Sequence, residues 1–123
     1  MRIVTNSSPL IAFAILDQLD LLTLVFTEIF VPQAVATEVS TWGKPYSRQL
    51  KAFSKDRVKS VKNTIAVQIL SKDVDLGEAE AIALALESGL KDILIDDAKG
   101  RKIAAVNGLY PTGTIGVLLE AKR

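Results

Sequence analysis

DLGEAEAIALALESGLKDILIDD, residues Asp75 to Asp97, reads as a capped helix, a glycine stop, a short buried strand and two carboxylates at the strand's end. Asp75 is a good N-cap, and Glu78 stands three residues on, as in a capping box. Leu76, Ala79, Ile82, Ala83 and Leu86 recur at helical spacing and predict one apolar face. Gly89 ends the helix. Ile93, Leu94 and Ile95 form an apolar run too short for a helix, which suits a strand buried on both faces. Asp96 and Asp97 follow at once. In parallel α/β sheets ligands bind outside the carboxyl ends of the strands, so these two acids are a site candidate.

Working outward, the same alternation recurs. Arg2 to Thr5 reads as a first strand. Asn6-Ser7-Ser8-Pro9 is a turn into a helix, with Ser7 or Ser8 as N-cap and Pro9 in the first turn. Leu10 to Leu16 continues that helix, and Asp17 or Asp20 caps a second through Leu24 and Val25. Glu28 to Val31 is a second strand. Pro32 opens a third helix, QAVATEVSTW, with Val35 and Val39 as an i, i+4 pair and Glu38 on the edge of its apolar face. Tyr46 to Phe53 predicts an amphipathic helix with a basic outer face, and Val58 to Val61 an edge strand. Asn63 to Asp73 is the least legible part and favours a helical approach to Asp75. Past the central stretch, Ala98 to Val106 is a helix stopped by Asn107-Gly108. Leu109-Tyr110 is a short last strand, residues 111–114 a turn, and Ile115 to Ala121 a final helix. Strands alternating with helices predict a single α/β domain over residues 1–123. Its architecture is a three-layer sandwich, with a short, mostly parallel sheet of four or five strands between helices.

Composition narrows the chemistry. The 123 residues are 49% hydrophobic and 24% charged, with no Cys and no His. That excludes disulfides, thiolate metal sites, Ser-His-Asp and Cys-His catalysis and the usual zinc sites. No run approaches the ~18–20 apolar residues of a membrane span, and the N-terminus lacks a signal-peptide pattern. A cytoplasmic protein is expected. Net charge is +1, unevenly spread. Between residues 44 and 62 seven basic residues (Lys44, Arg48, Lys51, Lys55, Arg57, Lys59 and Lys62) meet one acid, Asp56. Such a segment beside an acidic body is compatible with contact to a phosphate backbone, and equally with a solvated helix face.

Taken together, NSSPLI, VATEV, GEAEAIALALESG, LIDDAKGRKIA and TGTIGVLLEAK resemble the PIN-domain family across nearly the whole chain. The resemblance is nearest to short prokaryotic PIN-like proteins that open with Asn-Ser-Ser and are related to VapC-type toxins. It implies a Mg²⁺- or Mn²⁺-dependent endoribonuclease acting on single-stranded RNA. It also implies an antitoxin partner and a homo-oligomer, a dimer or higher. By resemblance Glu38, Glu78 and Asp97 match the second, third and fourth acidic positions of the metal site. Asn6 stands where the first is usually Asp, and Asp96 is an additional acid able to serve as a ligand. Ser7, Ser8 and Thr112 match small hydroxyl positions near the metal or phosphate. Lys44, Arg48 and Lys51, with Lys99 and Arg101, are the residues expected to track phosphates. Hydrolysis of a phosphodiester without His or Cys calls for a hard divalent cation held by carboxylates and water. Chains of this branch usually continue past the GVLLEAKR helix, so a C-terminally short domain with exposed or paired apolar surface is expected.

Each feature also has a plainer reading. Glu78 is explained as well by the capping box, and Glu80 flanks the same stripe, so periodicity does not choose between them. Glu38 alone reads as a solvated helix residue, Asn6-Ser7-Ser8 as caps, and either Asp96 or Asp97 as the cap of the helix at Ala98. Trp42 and Tyr46 suit packing, or stacking on bases. The alternative function is a catalytically degenerate PIN module that binds nucleic acid or a protein without cleavage, which Asn6 favours. A receiver-like or phosphatase-like domain is disfavoured by the lack of an acid after the first strand. Three carboxylates gathered without a cation would repel, and one of them should titrate unusually high.

Overall fold

A computed structural model describes residues 1–41 and 43–122; the expectation for Trp42 lies outside them. Five strands form one sheet: β1 (Arg2–Thr5), β2 (Glu28–Pro32), β3 (Val58–Lys59), β4 (Asp92–Leu94) and β5 (Tyr110–Thr112). All neighbours are parallel, in the order β3-β2-β1-β4-β5. The helices are α1 (Ser7–Ile15), α2 (Leu19–Val25), α3 (Gln33–Val39), α4 (Ser47–Ser54), α5 (Thr64–Leu70), α6 (Leu76–Ser88), α7 (Ala98–Val106) and α8 (Thr114–Ala121).

The sheet separates two cores because successive strand side chains point to opposite faces. Ile3, Val31 and Leu94 join Leu10, Phe13, Leu22, Val35, Leu50 and Val117 on one side. Val4, Phe30, Ile93 and Ile95 join Ile82, Leu84 and Ala104 on the other. This is the three-layer α/β sandwich that the sequence predicts, and the central strands β1, β2 and β4 are apolar on both faces for that reason. The α5 helix forms an outer cover on α6, through a small cluster of Val67, Val74, Ala79 and Ala83. Among the described residues no single helix is long and apolar enough to cross a membrane. The apolar pair α1 and α2 is bent by 120° and feeds the core.

Some local expectations shift. Asn6, not Ser7 or Ser8, occupies the N-cap of α1, and Gln18 that of α2. Leu76 and Leu86 are exposed. Ala79, Ile82 and Ala83 of the expected stripe are buried, and so are Ala81, Leu84 and Ala85 beyond it, because α6 is wedged against the sheet, α3 and α5. Short alanines make that close approach possible. Pro111 and Thr112 belong to the last strand rather than to the following turn. β5 is an edge strand, where a missing N–H is tolerated. Tyr46 packs against the first core.

Candidate metal centre

The sheet order reverses between β1 and β4, since β1 leads outward to β2 and β3 whereas β4 leads to β5. The crevice at the carboxyl ends of these two strands is where open α/β sheets bind ligands. The chain closes it with a bond from Asn6 N–H to Leu94 O, 2.9 Å. Asn6 is 5% exposed, and its side chain makes no cap bond to α1. A buried amide at an N-cap that leaves the cap unmade points elsewhere. A Cβ on Gly77 would stand 3.4 Å from Asn6 Oδ1 and 3.5 Å from Glu38 Oε1, so both oxygens converge on the first turn of α6. Ser7 is buried too, and its hydroxyl donates to Glu38 Oε1 at 2.8 Å. It thereby ties the start of α1 to α3. Ser8, one residue on, is exposed.

Glu78 is the next residue of that turn. Its Oε2 accepts from Asp75 N–H (3.2 Å), while Asp75 Oδ1 accepts from Glu78 N–H (2.8 Å), so the capping box is complete. Its Oε1 is buried and has no hydrogen-bond partner among the described residues. Against it lies Gly100 of α7, where a Cβ would come within 2.5 Å of Oε1. The Asp97 carboxylate is also close by, and is itself an acceptor. Burial, opposed by the Asp75 N–H and reinforced by the charges of Asp75 and Asp97, pushes the Glu78 carboxyl up to about 7. One acid does titrate high, although burial outweighs the repulsion expected from the sequence. A buried carboxylate oxygen facing another carboxylate is expensive unless a proton or a cation intervenes.

Asp97 caps α7, its Oδ2 accepting from Gly100 N–H at 2.9 Å. It is exposed, and its charge acts on the Glu78 carboxyl. Asp96 turns the other way. Its two oxygens accept from Thr114 N–H (2.7 Å) and Thr114 Oγ1 (2.6 Å), which caps α8 from a distance. The three acids and the amide therefore fall into two neighbouring pairs joined by consecutive residues of α6: Asn6 with Glu38 at Gly77, and Glu78 with Asp97. Among the described residues no three acids close on one point. The donor set nevertheless fits a small hard cation. All its atoms are oxygens, one is buried without a donor, and Mg²⁺ keeps several waters and needs only one or two direct carboxylates.

The basic residues divide. Lys44, Arg48, Lys51 and Lys55 line the cleft between α3 and α4. Arg57 instead stacks on Phe53, 4.1 Å from the ring centre, and donates to Phe53 O. Lys62 lies beside Glu87 at the far end of α6, through its backbone N–H. On the other flank Lys99 is exposed in the first turn of α7. Arg101 donates to Ile95 O at 3.2 Å and lines a hollow of about 410 Å³ with Asp96 and Thr112. Two residues escaped the sequence reading. Gly77 and Gly100 admit the oxygens to α6 and α7; a glycine inside a helical pattern, costly to the helix, is the signal that marks them. Glu80 accepts from Ala34 N–H at 2.8 Å and pins the start of α3 to α6.

A family model described as PIN domain matches residues 2–123. The chain therefore belongs to the PIN-domain family, whose members are in general divalent-metal-dependent nucleases that bind nucleic acid. No curated protein is significantly similar to it.

Proposed function

We propose that this chain is a divalent-metal-dependent endoribonuclease acting on single-stranded RNA, as a single cytoplasmic domain and the toxin of a toxin–antitoxin pair. The observation that carries the reading is Glu78 Oε1, an oxygen buried without a donor beside Asp97. Glu78, Asp97 and Glu38 are the residues that would hold Mg²⁺ or Mn²⁺, with the Asn6 amide oxygen completing the set. Bound there, the cation supplies charge neutralisation at the phosphate and a lowered pKa of water. The chain's own residues do the rest. Ser7 orients Glu38, Gly77 and Gly100 keep the oxygens close, and Asp97 adds its charge. Asp96 acts indirectly by fixing α8 and the Thr112 strand end. Ser8, Thr112, Lys99 and Arg101 on one flank, with Lys44, Arg48 and Lys51 on the other, contact phosphates.

The surface supports self-association. Leu24 (79% exposed) on α2 and Ile115 and Leu119 (73% and 61%) on α8 are uncovered on two helices that pack together. A homodimer would cover them. The test of function is Mn²⁺-dependent cleavage of an unstructured RNA by the wild type and by Glu78→Gln. Cleavage lost in Glu78→Gln, with the fold retained, is the expected result. A second reading, a non-cleaving PIN module, is favoured by Asn6 and by the separation of Glu38 from the Glu78–Asp97 pair. No cleavage by either protein would establish that reading instead, and equal cleavage by both would contradict the role given to Glu78.

A further inference from the structure

The geometry points to the cleft between α3 and α4 as a second RNA subsite, one that holds the strand flanking the bond to be cut. It rests on the nuclease reading for its role but not for its chemistry. Two contiguous hollows of about 540 and 750 Å³ share Ser40, Arg48 and Lys51. Every charged side chain lining them is cationic: Lys44, Arg48, Lys51 and Lys55. Among the described residues none of the four pairs with an acid. The apolar floor is the buried Ala36 and the half-buried Val58, with Ala52 beside them on the open side and the uncharged Gln33, Thr37 and Ser40 along the α3 wall. There too lies Ser54, 2% exposed, whose hydroxyl has no partner among the described residues.

Cations over an apolar floor match a single strand, whose phosphates take the charges while an unstacked base covers the apolar surface. A duplex keeps its bases stacked inside and offers nothing to the floor. An acidic peptide matches the rim alone. Position agrees with the assignment, because one wall of the cleft is α3, the helix that carries Glu38 on its other side. A strand leaving the metal centre along α3 enters the cleft directly.

The test is binding of a fluorescent 12-nucleotide oligouridylate to the full chain in chelator, read by anisotropy against salt. Chelator prevents cleavage, so binding is read whether or not the chain is a nuclease. Arg48→Gln/Lys51→Gln/Lys55→Gln should weaken binding roughly 100-fold at 0.1 M salt and reduce the slope of log K against log salt by about 2, for three lost phosphate contacts. Arg2→Gln/Lys62→Gln/Lys91→Gln removes the same charge from the opposite end of the sheet and should change the slope by less than about 0.5. Lysine acetylation of the wild type should show Lys44, Lys51 and Lys55 protected by the RNA and Lys62 and Lys91 unprotected, so the conclusion does not depend on a variant's folding. Equal effects of the two triple variants, no protection in the cleft, or oligoglutamate binding as tightly as RNA would overturn the proposal. Cleavage with an idle cleft sinks only this subsite; cleft binding without Mn²⁺-dependent cleavage sinks only the nuclease.

Discussion

Oε2 of Glu78 closes the capping box of α6, while Oε1 is held without a donor between Gly100 and the Asp97 carboxylate. The capping box read from sequence is thus formed by one oxygen, and the other is the one assigned to the proposed cation. The arrangement has a stability cost. Burial raises the Glu78 pKa from 4.5 to about 7, so the folded state holds the proton more tightly than the unfolded chain. With respect to this group the metal-free protein is most stable below about pH 4.5, loses stability as pH rises towards 7, and levels off above. Glu78→Gln keeps an acceptor for Asp75 N–H and adds a donor for Asp97. Without metal at pH 8 it should therefore be more stable than the wild type, by about 1–3 kcal/mol in urea unfolding. A less stable variant would mean that the cap outweighs the buried charge. The neighbouring acids could not be sorted from sequence: Asp96 and Asp97 are adjacent and chemically alike. Only the position of Thr114, 18 residues on, shows that Asp96 also holds the start of α8.

At the scale of elements, α6 organises the site. It carries Gly77 beneath Asn6 and Glu38, presents Glu78 to α7, and through Glu80 holds the N-terminus of α3. Glu80→Ala should leave the Ala34 N–H unsatisfied and cost about 1–2 kcal/mol in urea unfolding, whereas Glu80→Gln keeps an acceptor and should cost less than about 1 kcal/mol. Equal costs would assign the contact to charge rather than to the hydrogen bond. Much of this framework was legible. Strands β1, β2 and β4 follow from apolar runs bounded by turn residues, and the ends of α6 and α7 from Asp75, Gly89 and Asn107. Legibility failed where packing overrides periodicity. Leu76 and Leu86 fit the apolar stripe yet face solvent, since alanines allow α6 to be enclosed on its other sides. Likewise Asn6-Ser7-Ser8 has the composition of a cap, but Ser7 bonds to a carboxylate 31 residues away, which no local pattern encodes. The pairing of Glu38 with Asn6, and of Glu78 with Asp97, is a property of strand order rather than of spacing.

The whole molecule sets its charges and apolar surface apart. Acids gather at the carboxyl ends of β1 and β4, where α1, α6 and α7 begin and their positive ends partly offset the charge. Cations line the α3–α4 cleft on one flank, and uncovered apolar side chains lie on α2 and α8. If that surface is a dimer contact, Ile115→Glu/Leu119→Glu should sediment as a monomer under conditions where the wild type is a dimer. It should keep its far-ultraviolet spectrum, since both side chains are already exposed. Unchanged sedimentation of a wild-type dimer would move the contact elsewhere.

The central claim is that the first turns of α6 and α7 form a cation site. Calorimetric titration of Mn²⁺ into the wild type and Glu78→Gln tests it most directly. Micromolar to millimolar binding by the wild type that Glu78→Gln abolishes, with protons released on binding at pH 7 as the Glu78 carboxyl ionises, is the predicted result. Undiminished binding by Glu78→Gln, or none by the wild type at high metal, would contradict it.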